Sequence, residues 1–311
     1  MRRLIKILIV IVAVLAIAFT VFWYWRPADV SFEDLRATVP HVEYSKFADV
    51  DNVHLHYQER GAGTTLVLIH GFSSSTYTWK DTFDDLSEKY HVIAVDLKGF
   101  GFSSKPDGDY SRRAQANLVA DLLDQLNLGP VWVVGNSMGG EIALNLALFH
   151  RDRVLGLVLL DSGGISLPGT TSLTPWYIKI PLLGRALVAL AMTSDRLVRD
   201  GLAKSYYDQS KISEDEIKYY YQPLGTRDGQ FAATSARLQS GLYPIEDQLN
   251  KIRVPTLIIW GEDDQLIPVE AARVINSRIR GSRLIVLPNC GHVPQEELPQ
   301  AASKAVMDFI G

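Results

Sequence analysis

The chain has 311 residues, a formal net charge of -4 and 47% hydrophobic residues, enough to bury a sizeable core and ordinary for an α/β enzyme with an insertion. The slightly acidic balance leaves no basic footprint for nucleic acid, and the single cysteine, Cys290, excludes an internal disulfide. No internal repeat, low-complexity tract or N-x-S/T sequon is present.

The N-terminus departs from this average. Ile7 to Tyr24 is apolar or aromatic throughout except at Thr20, follows Arg2, Arg3 and Lys6, and closes on Phe22-Trp23-Tyr24-Trp25 before Arg26-Pro27. That length and its aromatic end predict an anchor over residues 1–26 that spans a membrane once. A cleaved signal peptide with Ala16-Ile17-Ala18 as its site is the rival, and the apolar run continuing well past Ala18 weighs against it. The basic residues before the span, and Asp29, Glu33 and Asp34 after it, put the N-terminus in the cytoplasm and the remaining chain on the extracytoplasmic, for instance periplasmic, face. Residues 27–41 read as a polar linker with room for a short helix.

Beyond the linker, Val42–Phe47 and Val53–Tyr57 alternate as half-buried strands joined at Asp51-Asn52. His54 and His56 share one face of the second strand and are expected to face solvent, since no third metal ligand is near in sequence. Leu66–Ile69 reads as a buried strand running into His70-Gly71-Phe72, followed by a helix over Trp79–Lys89 and a strand Val92–Val95 that ends in Asp96. The loop Gly99-Phe100-Gly101-Phe102-Ser103 lacks the third glycine and the following helix of a dinucleotide site, so no cofactor is expected there. An amphipathic helix covers Arg112–Leu126.

Val131-Trp132-Val133-Val134 is the next buried strand. It runs into Gly135-Asn136-Ser137-Met138-Gly139 and then the helical pattern from Glu141 to Ala147. G-x-S-x-G is a weak pattern alone. Between a strand and a helix it is the context of a nucleophile elbow, in which the serine takes a strained backbone conformation and glycines two places either side avoid a collision. Val154–Leu160 is a further buried strand ending in Asp161, and the next, Thr256–Trp260, starts only about ninety residues later. Strands alternating with helices imply a mostly parallel sheet covered on both faces, which makes this an α/β fold. Residues 161–254 carry no strand signal and read as a helical cap over the carboxyl ends of the strands, with 42–160 and 255–311 as the core. Leu284–Leu287, the loop Pro288–His292 and a helix to Ile310 close the chain.

A serine needs a base to take its proton and a third group to orient that base. His292 lies in the loop after the last strand, and Asp264 follows the strand ending Trp260-Gly261, both on the same sheet edge as Ser137. With His70-Gly71 after a strand, the G-N-S-M-G-G elbow, G-x-x-D-x-x-I-P and C-G-H-x-P, the chain resembles the α/β-hydrolase superfamily from about Val42 onward. The resemblance implies Ser137 as nucleophile, Asp264 as acid, His292 as base, and an oxyanion hole of the Phe72 and Met138 backbone N–H groups, with no metal or cofactor. The family's spacing to Pro268 implies Asp264 rather than Asp263. Asp161 stands where some relatives place the acid, and His70 where the superfamily shapes the oxyanion turn. Cys290 reads as a packed small residue, and Tyr219, Tyr220 and Tyr221 as aromatic packing.

The apolar cap and the anchor point to a lipophilic small-molecule ester, so the chain looks like monoacylglycerol lipases and related esterases. The second expectation is a carbon–carbon bond hydrolase of aromatic-ring degradation, whose elbow is similar. Those relatives usually carry Gly-Pro-Gly after the first His-Gly and a tryptophan after the catalytic histidine, where this chain has Phe72-Ser73-Ser74-Ser75 and Val293. A ligand-binding module with little turnover is the third, disfavoured because all three triad members are present. Oligomeric state is not legible.

Overall fold

The computed structural model describes residues 2–167, 176–180 and 183–311, so the parts of the predicted cap at 168–175 and 181–182 lie outside the described residues. Eight strands form one sheet: β1 (Ser45–Val50), β2 (Val53–Arg60), β3 (Thr65–Ile69), β4 (His91–Val95), β5 (Val131–Asn136), β6 (Val154–Leu160), β7 (Thr256–Gly261) and β8 (Arg283–Leu287). Their order is β1-β2-β4-β3-β5-β6-β7-β8. β1 pairs antiparallel with β2 and β2 antiparallel with β4, while every pairing from β4 through β8 is parallel.

The central strands read as unbroken apolar runs because both faces are buried. Val67, Ile69, Val133, Leu157, Leu159, Ile258 and Trp260 face one layer, which holds the helices Arg112–Gln125, Met138–Phe149 and Glu270–Arg278. Their neighbours Leu66, Leu68, Val134, Val158, Leu160, Leu257 and Ile259 face the other, under Phe83–Ser87 and Pro299–Ile310. The period of two along a strand thus divides the core into two layers.

Two elements differ from expectation. Val42–Tyr44 is a 3-10 turn rather than strand, entered through His41 in the left-handed region at φ 55. Trp79–Lys89 is not one helix but a 3-10 turn Thr76–Trp79 and a short helix Phe83–Ser87. Ser75 caps the Tyr77 N–H, and the Thr82 hydroxyl donates to the Trp79 carbonyl, so local side-chain bonds compete with helix continuation.

His56 is also a correction. It is fully buried, not solvent-facing: Phe32, Phe47 and Phe102 pack on its ring at centroid distances of 5.4, 5.1 and 5.5 Å. Phe32 belongs to the stretch read as a linker, and that stretch is docked. Lys105 pairs with Asp29 at 2.8 Å, and the N–H groups of Arg227 and Asp228 donate to the carbonyls of Pro27 and Ala28. The buried Arg26 guanidinium donates to Gln230 Oε1 at 2.9 Å and to the Gly225 carbonyl. Before it, Arg2–Trp25 is one continuous helix, none of it buried, long and apolar enough to cross a membrane.

Between β6 and β7 the described chain forms helices Leu183–Ala191, Arg196–Ser205, Glu214–Leu224 and Arg227–Leu238. Met192, Val198, Leu202, Tyr206 and Ile217 make a small apolar cluster that closes on Val293, beside His292. Tyr219 stacks on Tyr77 at 4.1 Å, and the Ser205 carbonyl accepts from the His292 N–H at 2.6 Å. The insertion therefore sits on the loops at the carboxyl ends of the strands.

Asp96, at the end of β4, ties several of these pieces together. Its Oδ1 accepts from the Thr76 N–H at 2.6 Å, and its Oδ2 accepts from the Phe102 N–H at 2.8 Å and lies 2.7 Å from His56 Nδ1. Burial pushes this carboxyl up, but the facing His56 and the donors outweigh it and hold it below the ordinary value. A depressed folded value means the contribution is present above the unfolded carboxylate pKa of about 4 and is lost as pH falls through the lower folded one. An amide has one acceptor oxygen where the carboxylate has two. Asp96→Asn should therefore destabilise by roughly 2–3 kcal/mol in urea at pH 7 and flatten the loss of stability below pH ~4.

Candidate active site

Ser137 joins β5 to the helix Met138–Phe149 with φ 54 and ψ -115, a conformation rarely tolerated outside glycine. The glycines around it are dictated by space. A Cβ on Gly135 would stand 2.4 Å from the Gly139 carbonyl oxygen, and one on Gly139 would stand 2.1 Å from that of Ile69. The turn is pinned by Ser137 N–H to the Leu160 carbonyl at 2.9 Å and by Gly163 N–H to the Ser137 carbonyl at 2.8 Å.

Asn136 does a job the sequence reading left out. Its Nδ2 donates to the Leu160 carbonyl at 3.2 Å and to the His292 carbonyl at 3.0 Å. The residue before the serine thus fixes the histidine loop to the elbow. The His292 ring meets Asp264 through Nδ1 and Oδ2, 2.7 Å apart. Asp264 Oδ1 accepts from the N–H groups of Leu266 at 2.7 Å and Ile267 at 3.0 Å, which holds the carboxylate toward the imidazole. Both residues are buried, whereas neighbouring Asp263 is exposed. Phe72 and Met138 flank the serine: Met138 opens the elbow helix, and a Cβ on Gly71 would lie 3.3 Å from Ser137 Cβ. Among the described residues, neither amide donates to another group of the protein.

The other candidates separate by environment. His70 Nε2 accepts from the Leu97 N–H at 3.0 Å, so its Nδ1 carries the hydrogen and donates to the Gly71 carbonyl at 2.7 Å. Burial lowers its pKa despite nearby Asp96, so it is a neutral brace for the turn before Phe72. Cys290 is buried, and that burial pushes its thiol up, away from reactivity. Tyr219 and Tyr221 pack as expected. Tyr220 does not merely pack: its hydroxyl donates to Glu296 Oε1 at 2.7 Å and accepts from Ser74 at 3.2 Å. Burial takes Glu296 up to about 8, against the pull of Lys80.

Asp161 is fully buried at the end of β6, with Oδ1 accepting from the Gly261 N–H at 2.9 Å and, among the described residues, no donor to Oδ2. Burial first, and the charge of Asp264 second, raise its pKa well above the ordinary value. One atom each from Asp161, Asp264 and His292 lie within 4.8 Å of one another, a spacing a metal could use, although the His292–Asp264 hydrogen bond already occupies two of them. A raised folded pKa means stability falls as pH climbs from about 4 through the folded value. Asp161→Asn should then melt no lower than the wild type at pH 8 and keep most of its turnover. Asp264→Asn should lose about 10³- to 10⁴-fold in kcat. Parallel melting curves and initial rates on the two variants check both, and a reversed ranking would make Asp161 the acid.

Comparison with known proteins follows the same lines. The model of the alpha/beta hydrolase fold family matches residues 64–299. The 2-hydroxy-6-oxo-6-(2'-aminophenyl)hexa-2,4-dienoic acid hydrolase of Metapseudomonas resinovorans is 31% identical over 273 residues, covering 85% of this chain and 90% of its own. The uncharacterised hydrolase YugF of Bacillus subtilis is 34% identical over 269 residues, covering 84% and 96%. The crystal structure of a membrane phospholipase A, described as a bacterial virulence factor, is 30% identical with a TM-score of 0.76, covering 100% of this chain and 98% of its own. The likeness to monoacylglycerol lipases read from the sequence is not carried by these relatives, and the first of them is named for the carbon–carbon chemistry ranked second.

Proposed function

The chain belongs to the alpha/beta hydrolase fold family and is a hydrolase, and on that premise we propose that it cleaves lipophilic carboxylic esters, such as monoacylglycerols or related acyl lipids, through an acyl-enzyme on Ser137. His292 takes the serine proton as the hydroxyl attacks the carbonyl. Asp264 holds the imidazole in the required tautomer and offsets its positive charge. The Phe72 and Met138 N–H groups receive the charge that develops on the carbonyl oxygen. The alcohol leaves with the proton from His292, and water then attacks the acyl-enzyme by the same route.

The observation that carries the ester reading is the latch between the apolar helix and the cap. Arg26, one residue beyond that helix, is bonded to Gly225 and Gln230, so the apolar helix ends on the cap. From there an open groove runs over the cap, walled by Ile178, Ile180, Phe231 and Leu238 with Lys179 and Arg185 beside them. A smaller hollow sharing Arg185 and Phe231 reaches Trp23. An apolar groove continuing from an anchoring helix suits an acyl chain. Agreement with a membrane phospholipase A along the whole chain, helix included, supports the same reading. The proposed topology keeps the N-terminus cytoplasmic and the hydrolase domain on the opposite face. A reporter fused after Gly311 that is active only in the cytoplasm would overturn that topology.

A second reading has its own support. The relative from Metapseudomonas resinovorans is a dienoate hydrolase by name, and another at 31% identity is a 2-hydroxymuconate semialdehyde hydrolase. By name, these relatives favour carbon–carbon cleavage over ester cleavage. Against it stand Val293 and Phe72-Ser73-Ser74-Ser75 at the two positions where that group's motifs differ.

One substrate panel decides. With p-nitrophenyl esters from acetyl to palmitoyl, a monoacylglycerol and 2-hydroxy-6-oxo-6-phenylhexa-2,4-dienoate, we expect turnover of medium and long acyl esters and of the monoacylglycerol. Ser137→Ala should lower it by about 10⁴-fold or more. Turnover of the dienoate alone would replace the ester reading with the second one. Ester turnover untouched by the substitution would remove Ser137 as nucleophile.

A further inference from the structure

Arg237, in the last turn of the helix Arg227–Leu238, lies with its guanidinium carbon 4.1 Å from the centre of the Phe72 ring. Phe72 follows Gly71, whose absent Cβ would lie 3.3 Å from Ser137 Cβ, so this cation packs on the residue next to the one that touches the serine. It is partly buried, and burial first and Arg112 second lower its pKa, so its charge is held against both desolvation and a like charge.

Among the described residues no anion answers that charge. Arg112 is already matched by Glu141, Nε to Oε2 at 3.2 Å, and its Nη1 reaches the Ala236 carbonyl at 3.5 Å. The buried Arg26 likewise donates to Gln230 and Gly225. Arg237 has neither a carboxylate nor a hydrogen-bond acceptor among the described residues. The remaining segments, Pro-Gly-Thr-Thr-Ser-Leu-Thr-Pro at 168–175 and Pro-Leu at 181–182, contain no Asp or Glu. A guanidinium presents up to five N–H donors in a fork that matches carboxylate or phosphate oxygens, and leaving it partly desolvated without an anion is costly. Of the acids around the serine, Glu141 is taken by Arg112, Asp264 by His292, and Asp161 is driven by burial toward its neutral form.

We propose that Arg237 is an anion-binding subsite of the active site, taking the carboxylate or phosphate oxygens of a substrate whose scissile carbonyl lies at Ser137. This rests on Ser137 being the nucleophile. It deepens the proposed function by selecting anionic substrates, such as a phosphodiester lipid or a dicarboxylic monoester, over neutral esters of the same length. The anion would sit over the edge of Phe72, with the cap helix supplying the charge and the core supplying the chemistry.

The test uses matched pairs with the full chain. The carboxylate pair is mono-p-nitrophenyl glutarate against p-nitrophenyl pentanoate, and the phosphate pair is 1-oleoyl-lysophosphatidylglycerol against mono-oleoylglycerol. The variants are Arg237→Met, which keeps a stem over Phe72, and Arg237→Lys, which keeps the charge. In at least one pair, the anionic-over-neutral ratio of kcat/KM should fall tenfold or more in Arg237→Met, chiefly through KM, and recover in part in Arg237→Lys. The pair that responds identifies the anion. A ratio within twofold of wild type in both pairs would overturn the proposal and leave Arg237 a stacking residue. Thermal stabilisation by glutarate and by glycerol phosphate, read on Ser137→Ala with and without Arg237→Met, separates the two assignments. Stabilisation that Arg237→Met abolishes supports the subsite whatever the nucleophile turns out to be, and stabilisation that survives Arg237→Met counts against it.

Discussion

At Gly139 the Ile69 carbonyl oxygen occupies the place a Cβ would take, 2.1 Å away, and at Gly140 the Ser162 hydroxyl does the same at 2.3 Å. The ends of β3, β5 and β6 therefore meet around Ser137 with no side chain between them. That contact places Gly71 against the serine and lets Gly163 bond to its carbonyl. It also leaves the amides of Phe72 and Met138 beside it. Every later feature of the site, including the reach of Asn136 to the histidine loop, needs this close approach first. The strained dihedrals of Ser137 persist because the surrounding strands allow the turn no other course.

Charge is distributed around that turn by environment rather than by residue type. Four aspartates lie at strand ends or just past them, and they meet three different fates. Asp264 collects two backbone donors and an imidazole, and Asp96 collects two backbone donors and a histidine. Asp161 is fully buried with one donor and a carboxylate for a neighbour, so burial first and that charge second drive it toward its protonated form. Asp263 is left in solvent. A carboxyl that burial holds toward its neutral form adds little negative charge beside Asp264.

The insertion after β6 is joined to the core by polar as well as apolar contacts. The Tyr206 hydroxyl lies 2.7 Å from Glu216 Oε1 and 3.0 Å from Glu296 Oε2, Tyr220 joins Ser74 to Glu296, and Val293 completes the apolar cluster of the insertion. Its last helix takes the Arg26 latch near one end and presents Arg237 to Phe72 at the other. One helix of 12 residues thus connects the apolar N-terminal segment to the edge of the candidate site.

Periodicity and motif spacing determined much of this protein by themselves. Apolar runs located the parallel strands almost to the residue, Val154–Leu160 among them, because a strand buried on both faces can hold little else. G-x-S-x-G between strand and helix marked Ser137, and chain order with loop position marked His292 and Asp264, since local turn chemistry is written in local sequence. Tertiary structure alone decided the rest. His56 looked exposed until Phe32, 24 residues upstream, covered it. That buried Asp161 sits beside Asp264 with one backbone donor against two showed only once the strands were in place. Asn136, Arg237 and Glu296 act through partners up to 218 positions away in the chain, as Glu296 does on Thr78. Contacts at that separation leave no period or spacing to read, because they depend on which surfaces the folded sheet and its insertion bring together.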